Sequence, residues 1–440
     1  MSYDPLQPDA YAEHLGEVDK FNHVTLAEDV RNAKGILIAK KGERVSREVV
    51  DKIIQFKLLK PIEESVEISD SLTSDKVSAD IRTSIRWLSD SPLHERYELD
   101  AEVRRGVKLL NRFPILRQKL TVLSLRMPQE YRKALLVACF SAIIANKLDL
   151  SDVERDHLML AALAHDIGML HIDHKVAEKT APLTPEDWRT LQGHVAISYA
   201  IFKETDGMLP QISRAVLEHH EVSDGTGYLT GKQGVELSVM GRIVGVVDAM
   251  SAVLVKLEAQ GRSPRDLIPI LRVNGYVYDR DVCGAFIQLL TEHRWPETGV
   301  IGDANMPAFA EAVLRDREAL SSYADRSQEL LAAIPPEAAE RMSVKAARVV
   351  HQHLTSIVYS SGILDVGYVA WLRSVVRDRQ REYYREVEDT RLMLDEVRWQ
   401  LVKLTRLLWA VEQDKNALTS EQHHRFLNLL NDLPALTSAT

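Results

Sequence analysis

The chain has 440 residues, a formal net charge of -9 and only two cysteines, Cys139 and Cys283. Its length allows two to four domains, and its 45% hydrophobic and 27% charged residues are ordinary for a soluble globular protein. The negative charge argues against a general nucleic-acid or anionic-membrane surface, and two cysteines argue against a disulfide framework. The polar start and the short apolar runs predict a cytoplasmic protein with no signal peptide and no membrane insertion.

The N-terminal residues 1–69 predict a small α/β module. We expect the first twenty residues, which are polar, to be loosely ordered. The sequence GILIAKKG, at 35–42, predicts a short strand between glycines. Ser46 is predicted to cap a helix with one apolar face, formed by Val49, Val50, Ile53, Ile54 and Leu58.

Beyond residue 70 the pattern is helical almost to the end, which predicts a mainly α protein. The composition of 70–80 indicates a linker, which opens a helical linker region at 70–129. A core domain follows at 130–298, and a C-terminal helical region at 299–440. The longest apolar run, Ala134–Ala145, is too short to span a bilayer and predicts a buried helix.

The C-terminal region contains a heptad seam over about four heptads. Its positions are separated by four and three residues in turn. They are Tyr383, Val387, Thr390, Leu394, Val397, Leu401, Leu404, Leu408 and Val411. Two interpretations remain open, a long helix packed within its own chain and a coiled-coil dimer. The region 383–411 is therefore a candidate for self-association or for binding a protein partner.

Histidines and acids recur between residues 131 and 250 at the ends of predicted helices. LAALAHDIGML contains His165 and Asp166, and ISRAVLEHHEV ends with His219 and His220. Asp248 lies in an otherwise apolar helix, where a carboxylate is costly to bury unless it is paired or bound to metal. Imidazoles and carboxylates that converge from several helices are typical of a metal site, although each motif taken alone is weak evidence for one.

Several motifs in order resemble the HD-GYP family, the HD-superfamily phosphohydrolases that cleave cyclic di-GMP. HDIGMLHIDHKVAEKTAPLTPEDWRTLQGH is similar to the family's HDxGK stretch and its next histidine, and HHEVSDGTGYLTG is similar to HHExxDGxGYP. GRIVGVVDAMSAVL resembles the family's helix that carries the last metal-binding aspartate. NGYVYDRDVCGAFIQLL resembles the helix that closes the family's domain. The resemblance covers about 130–293 and implies an HD-type helical bundle core.

The resemblance also implies roles for individual residues. Two divalent ions are expected, iron or manganese first, with zinc, magnesium or nickel as alternatives. Asp166 would bridge them and, with His165, carry catalysis. The remaining metal ligands would be His194, His219, His220 and Asp248. The substrate-binding residues would be Asp224, Gly225, Gly227, Tyr228 and Arg242.

Three positions depart from the family pattern. The upstream histidine aligns with Lys133 or Ala134, and Glu130 is a candidate substitute ligand. Met169 replaces the lysine of HDxGK, and Leu229 replaces the proline of GYP.

We also considered whether His171 and His174 replace the missing ligand or donor, with surface-loop histidines as the default interpretation. The departures leave two main functional hypotheses. One is a metal-dependent phosphodiesterase for cyclic di-GMP with impaired or altered activity. The other is a degenerate domain that binds metal or nucleotide as a signalling scaffold. A phosphohydrolase with another substrate is a third, because fold does not fix substrate.

Overall fold

The fold is described from a computed structural model, which covers residues 3–433 except 86, 87, 89, 182, 296–300, 415 and 416. The chain divides into two compact units. The first contains residues up to Glu221 together with Gly227–Ala252, and the second contains Val222–Thr226 and the chain from Val253 onward. The predicted domain limits at residues 69, 129 and 298 stay a prediction.

The first helix shows that the expectation of a loosely ordered N-terminus is wrong. Helix α1 spans Ala10–Asn22 and is capped by Asp9, whose side chain accepts a hydrogen bond from the amide of Tyr11. Tyr11, Leu15 and Val18 are buried. These residues are spaced by four and three positions, so they form one apolar helical face in an otherwise polar segment.

The predicted α/β module contains two antiparallel strand pairs in the described residues. Strand β1 (Val24–Leu26) pairs with β4 (Val66–Ile68), and β2 (Val30–Arg31) pairs with β3 (Leu37–Ala39). Strand β3 is the strand predicted from GILIAKKG. Helix α2 (Arg47–Ile53) follows Ser46, as predicted, although the Ser46 side chain makes no capping hydrogen bond.

The rest of the first unit is helical. The residues expected to form a linker instead begin a helix. The Thr73 side chain accepts a hydrogen bond from the amide of Lys76, and the side chains of Val77 and Ile81 are buried. The helices that complete the unit are α3 (Ser74–Ser84), α4 (Pro92–Arg96), α5 (Leu99–Leu110), α6 (Pro114–Arg126), α7 (Pro128–Lys147), α8 (Asp152–Ala164), α9 (His174–Ala177), α10 (Pro185–Glu204), α11 (Pro210–Glu218) and α12 (Val239–Ala259), of which α12 continues past Ala252 into the second unit.

Helix α7 is the buried helix that the apolar run predicts. All residues from Ala134 to Ala145 are buried, and the helix packs against α8. Both cysteines are buried free thiols. Among the residues that the structure describes, no helix combines the length and the apolar character needed to cross a bilayer.

The second unit is a helical bundle. Its further helices are α13 (Leu267–Asn274), α14 (Arg280–Thr291), α15 (Met306–Ala332), α16 (Met342–Ser360), α17 (Val366–Arg377), α18 (Tyr384–Gln413) and α19 (Ser420–Asn431). Helix α18 carries the heptad seam and packs against α13, α15, α16 and α19. Every seam position from Val387 to Val411 is buried within this unit, as the first of the two interpretations expects. Association through another face of 383–411 stays a prediction.

Candidate metal centre

The six predicted metal ligands all belong to the first unit and come from the ends or interiors of four helices. His165 is the C-cap residue of α8, and Asp166 follows it directly. His194 lies within α10, and His219 and His220 follow α11. Asp248 lies within α12. Capping boxes fix the starts of α8 (Ser151 with Glu154) and α10 (Thr184 with Asp187), so both helices begin at defined residues.

Glycine lets two of these segments approach closely enough for the ligands to meet. A Cβ atom on Gly168 would lie 2.1 Å from the carbonyl oxygen of His194. A Cβ atom on Gly245 would lie 2.8 Å from the carbonyl oxygen of His219. Larger residues at these two positions would push α10 or α11 away from the segments that carry Asp166 and Asp248.

Three of the ligand histidines are oriented by their own helices. Nδ1 of His165 lies 2.8 Å from the carbonyl oxygen of Ala162, and Nδ1 of His219 lies 2.6 Å from that of Val216. His194 makes the same contact with Leu191, at 2.5 Å. A carbonyl oxygen only accepts, so Nδ1 carries the proton and donates it in each case. In the neutral ring this leaves Nε2 of His194 and of His219 as the nitrogen available to a metal ion.

The first ligand group consists of Asp166, His194, His219 and His220, whose ligand atoms lie within 4.8 Å of one another. Oδ1 of Asp166 is 3.2 Å from Nε2 of His194 and 3.5 Å from Nε2 of His219. These three atoms are fully buried, and none makes a hydrogen bond to any part of the chain that the structure describes. Buried polar atoms without partners are costly, so their convergence fits a bound divalent cation.

The second ligand group consists of His165, Asp166 and Asp248, with ligand atoms again within 4.8 Å. Here Nε2 of His165 lies 3.2 Å from Oδ2 of Asp166 and 3.2 Å from Oδ1 of Asp248. Lys133 also enters this group. Its Nζ lies 2.7 Å from Oδ2 of Asp166 and 3.2 Å from Oδ1 of Asp248.

The charges in the centre stabilise one another. Burial would raise the pKa of Asp166 and of Asp248, but His165 and Lys133 hold both pKa values well below the usual range. Burial would lower the pKa of His165, but the two carboxylates raise it to about 10. Burial lowers the pKa of His219 and of His220, which favours their neutral forms. The neutral imidazoles of His219 and His220 therefore belong to the first group, while the second group is a network of paired charges.

Residues 117–282 match a family model described as HD domain. This match covers 166 of the 440 residues. A 3'3'-cGAMP-specific phosphodiesterase of Vibrio cholerae is 35% identical over 130 residues, which are 30% of this chain and 28% of that protein. A cyclic di-GMP phosphodiesterase of Thermotoga maritima is 30% identical over 159 residues, 36% of this chain and 43% of that protein. The chain thus matches less than half the length of these relatives. The resemblance that the sequence motifs indicate is confirmed.

Among solved structures, an HDG"Y"P protein from Bdellovibrio bacteriovorus aligns with 61% of this chain and 95% of its own, at 15% identity and a TM-score of 0.35.

The predicted substrate-binding residues divide between the two units. Gly227, Tyr228 and Arg242 belong to the first unit. The Tyr228 ring stacks on the His220 ring with centroids 4.8 Å apart, and Arg242 lies in α12, the helix of Asp248. Asp224 and Gly225 belong to the second unit, where Oδ2 of Asp224 lies 3.4 Å from Nδ1 of His353. Gly225 has a φ of 76°, a conformation that favours glycine.

The two histidines after the HD pair do not join the metal centre. Nδ1 of His171 donates to Asp9 at 2.7 Å, and its Nε2 lies 2.9 Å from Nζ of Lys119. His174 lies against Glu13, at 3.4 Å. The default interpretation as a surface residue is wrong for His171, whose side chain is only 3% exposed.

Lys133 is the residue whose role sequence reasoning missed. The sequence shows it only as a position that lacks the family's histidine, whereas the structure places its ammonium between two ligand carboxylates. Glu130, a candidate substitute ligand, lies 3.4 Å from Lys133 Nζ. One signal was available: Lys133 is a charged residue that directly precedes the long, mainly apolar run of α7, so its head group needs an anionic partner.

Proposed function

We propose that the chain is a metal-dependent phosphodiesterase that hydrolyses a cyclic dinucleotide, cyclic di-GMP or 3'3'-cGAMP. The activities of the relatives in Vibrio cholerae and Thermotoga maritima, a 3'3'-cGAMP-specific and a cyclic di-GMP phosphodiesterase, support this substrate class. The matched part of this chain is the part that contains all six predicted metal ligands.

The observation that carries the proposal is the convergence of unpartnered buried donors in the first ligand group. Asp166, His194, His219 and His220 would hold a divalent ion there. Such an ion supplies charge neutralisation for a phosphodiester and lowers the pKa of a water molecule. Hydrolysis then forms a bond from the water oxygen to phosphorus and breaks the bond to the ribose 3' oxygen, which takes up a proton.

Other residues of the HD domain would position the substrate. The stacked Tyr228 ring orients the loop that follows His220, and the amide of Tyr228 donates to the carbonyl oxygen of His220 at 3.2 Å. These contacts hold an aromatic face close to a ligand imidazole, and aromatic faces stack on nucleobases. Arg242 offers a guanidinium suited to phosphate, in the same helix as Asp248.

A second candidate function is a signalling domain that binds metal or nucleotide and turns over little. The position of Lys133 favours it, because an ammonium group paired with Asp166 and Asp248 reduces the carboxylate charge open to metal ions. Met169 in place of the motif lysine points in the same direction. Under the first hypothesis, these two positions make the activity impaired or altered.

Hydrolysis assays distinguish the two candidates. The purified chain is loaded anaerobically with Fe(II) or Mn(II) and incubated with cyclic di-GMP or with 3'3'-cGAMP, and the linear products are quantified. We expect turnover that is lost in Asp166→Ala and His194→Ala. The matched control is His424→Ala, an exposed histidine of α19 outside the HD domain. Nucleotide binding without turnover in the loaded wild type would contradict the phosphodiesterase and support the second candidate.

A further inference from the structure

Lys133 occupies the space between the carboxylates of the second ligand group. Its Nζ is 2.7 Å from Oδ2 of Asp166 and 3.2 Å from Oδ1 of Asp248. A divalent ion would bond these same oxygens at about 2.0–2.2 Å, and so would lie between them. That position is the position of the ammonium group, and two cations cannot share it.

The hydrogen-bonding capacity of Lys133 matches the second group. An ammonium group has three N–H donors. Three carboxylates surround it, because Oε2 of Glu130 lies 3.4 Å from Nζ in addition to the oxygens of Asp166 and Asp248. The second group therefore already contains a cation.

The first group differs in this respect. Oδ1 of Asp166 and the Nε2 atoms of His194 and His219 are buried and find no hydrogen bond within the described part of the chain. Asp166 presents one oxygen to each group: Oδ2 contacts Lys133, while Oδ1 faces the histidines. Only the first group lacks a cation.

We propose that the HD domain binds one divalent ion, through Asp166, His194, His219 and His220, and that the ammonium group of Lys133 takes the place of a second ion. Asp166 then bridges an ion and an ammonium group rather than two ions. This inference rests on the metal site of the proposed function, and it differs from the two ions that the family resemblance implies.

Metal stoichiometry tests the inference without reference to activity. The full chain is loaded anaerobically with Mn(II), separated from free ion by gel filtration, and its manganese content is measured by plasma mass spectrometry. The electron paramagnetic resonance spectrum reports independently whether each Mn(II) is isolated or coupled to a near neighbour. The variants are Lys133→His, which removes the ammonium and adds a donor, and Lys133→Arg, which keeps the positive charge.

We expect one isolated ion per chain in the wild type and in Lys133→Arg, and two coupled ions in Lys133→His. Two ions in the wild type would overturn the inference, and so would a single ion in a folded Lys133→His. The wild-type spectrum decides the matter even if Lys133→His does not fold, because a coupled pair is incompatible with an ammonium group in the second position. One ion without hydrolysis would support this inference and contradict the phosphodiesterase, whereas hydrolysis with two ions would do the reverse.

Discussion

Asp224 lies with Oδ2 3.4 Å from Nδ1 of His353, a residue 129 positions later in helix α16. The aspartate also accepts hydrogen bonds from the amide and hydroxyl of Thr226, and that hydroxyl contacts Lys403 of α18. Burial would raise the pKa of Asp224, but His353 and Lys403 lower it below its usual value. Asp224 and Thr226, which belong to the DGTG motif, thus contact side chains of the C-terminal helices.

The first prediction concerns this contact. His353→Ala removes an imidazole 3.4 Å from a buried carboxylate, and we expect it to lower the free energy of unfolding by about 0.5–1.5 kcal/mol. Faster hydrogen–deuterium exchange at residues 222–226 would accompany the loss. Chemical denaturation and exchange mass spectrometry measure both effects, with the exposed His424→Ala as the control. Unchanged exchange at 222–226 would show that His353 does not hold the motif.

The second prediction concerns Gly168, whose Cβ position is filled by the backbone of His194. Gly168→Ala should destabilise the chain by about 1–3 kcal/mol or more, because α10 must shift to admit the methyl group. The same shift separates His194 from Asp166, so the affinity for Mn(II) should also fall. Calorimetric titration and thermal denaturation measure the two effects.

Gly193 provides the matched control for Gly168. It precedes His194 within α10, and its Cβ position is open, with nothing within 4 Å. Gly193→Ala should therefore leave metal binding unchanged and stabilise the helix by about 0.5–1 kcal/mol. Equal effects of the two substitutions would contradict the argument from close approach.

The third prediction concerns the buried pair of Lys119 and Glu63, whose atoms Nζ and Oε1 are 3.1 Å apart. Lys119→Met leaves the Glu63 carboxylate buried without its cation, which should cost about 3–5 kcal/mol. The double variant Lys119→Met/Glu63→Gln should recover part of that loss. Urea denaturation measures these changes, with Lys34→Met, at an exposed position, as the control.

The contribution of this pair also depends on pH. Burial would raise the pKa of Glu63, but Lys119 lowers it below its usual value. The stabilisation is therefore present above the unfolded pKa of about 4.3 and is lost as the pH falls through the lower folded value. The stability difference between wild type and Lys119→Met should narrow in acid. A difference that widens there would contradict the assignment.

The fourth prediction concerns stabilisation by the metal ion. An ion that binds only the folded state adds about 2.7 kcal/mol when its concentration is 100 times the dissociation constant. Mn(II) should therefore raise the melting temperature of the wild type, and a chelator should reverse the shift. Asp166→Asn, which removes a carboxylate from the site, should show little shift, whereas His424→Ala should behave as the wild type. An equal shift in Asp166→Asn would place the ion elsewhere.

The ligands of the centre were predictable from the sequence because each occurs in a short motif at a helix end or in an apolar helix. The partners of Lys133 were not, because they depend on how side chains of α7 meet Asp166 and Asp248, 33 and 115 residues further along the chain. His171 is a similar case. Its partners Asp9 and Lys119 are 162 and 52 residues away, and no local pattern links them.

The order of the N-terminal helix was missed for a different reason. The composition of the first twenty residues is polar, but burial of α1 depends only on the spacing of Tyr11, Leu15 and Val18. Similarly, the Ser and Asp residues at 70–80 favour a linker. In the structure, however, the polar side chain of Thr73 accepts a hydrogen bond at the start of a helix.

The hydrogen bonds from Nδ1 of His165, His194 and His219 all end on carbonyl oxygens three residues earlier in the same helix. Each imidazole is therefore oriented by the backbone of its own helix, and its orientation requires no neighbouring side chain. Replacement of surrounding apolar residues should then be tolerated, provided that the helices keep their spacing. A redesign of the centre must therefore preserve Gly168 and Gly245 as well as the ligands, because those two glycines set the distance between the ligand-bearing helices.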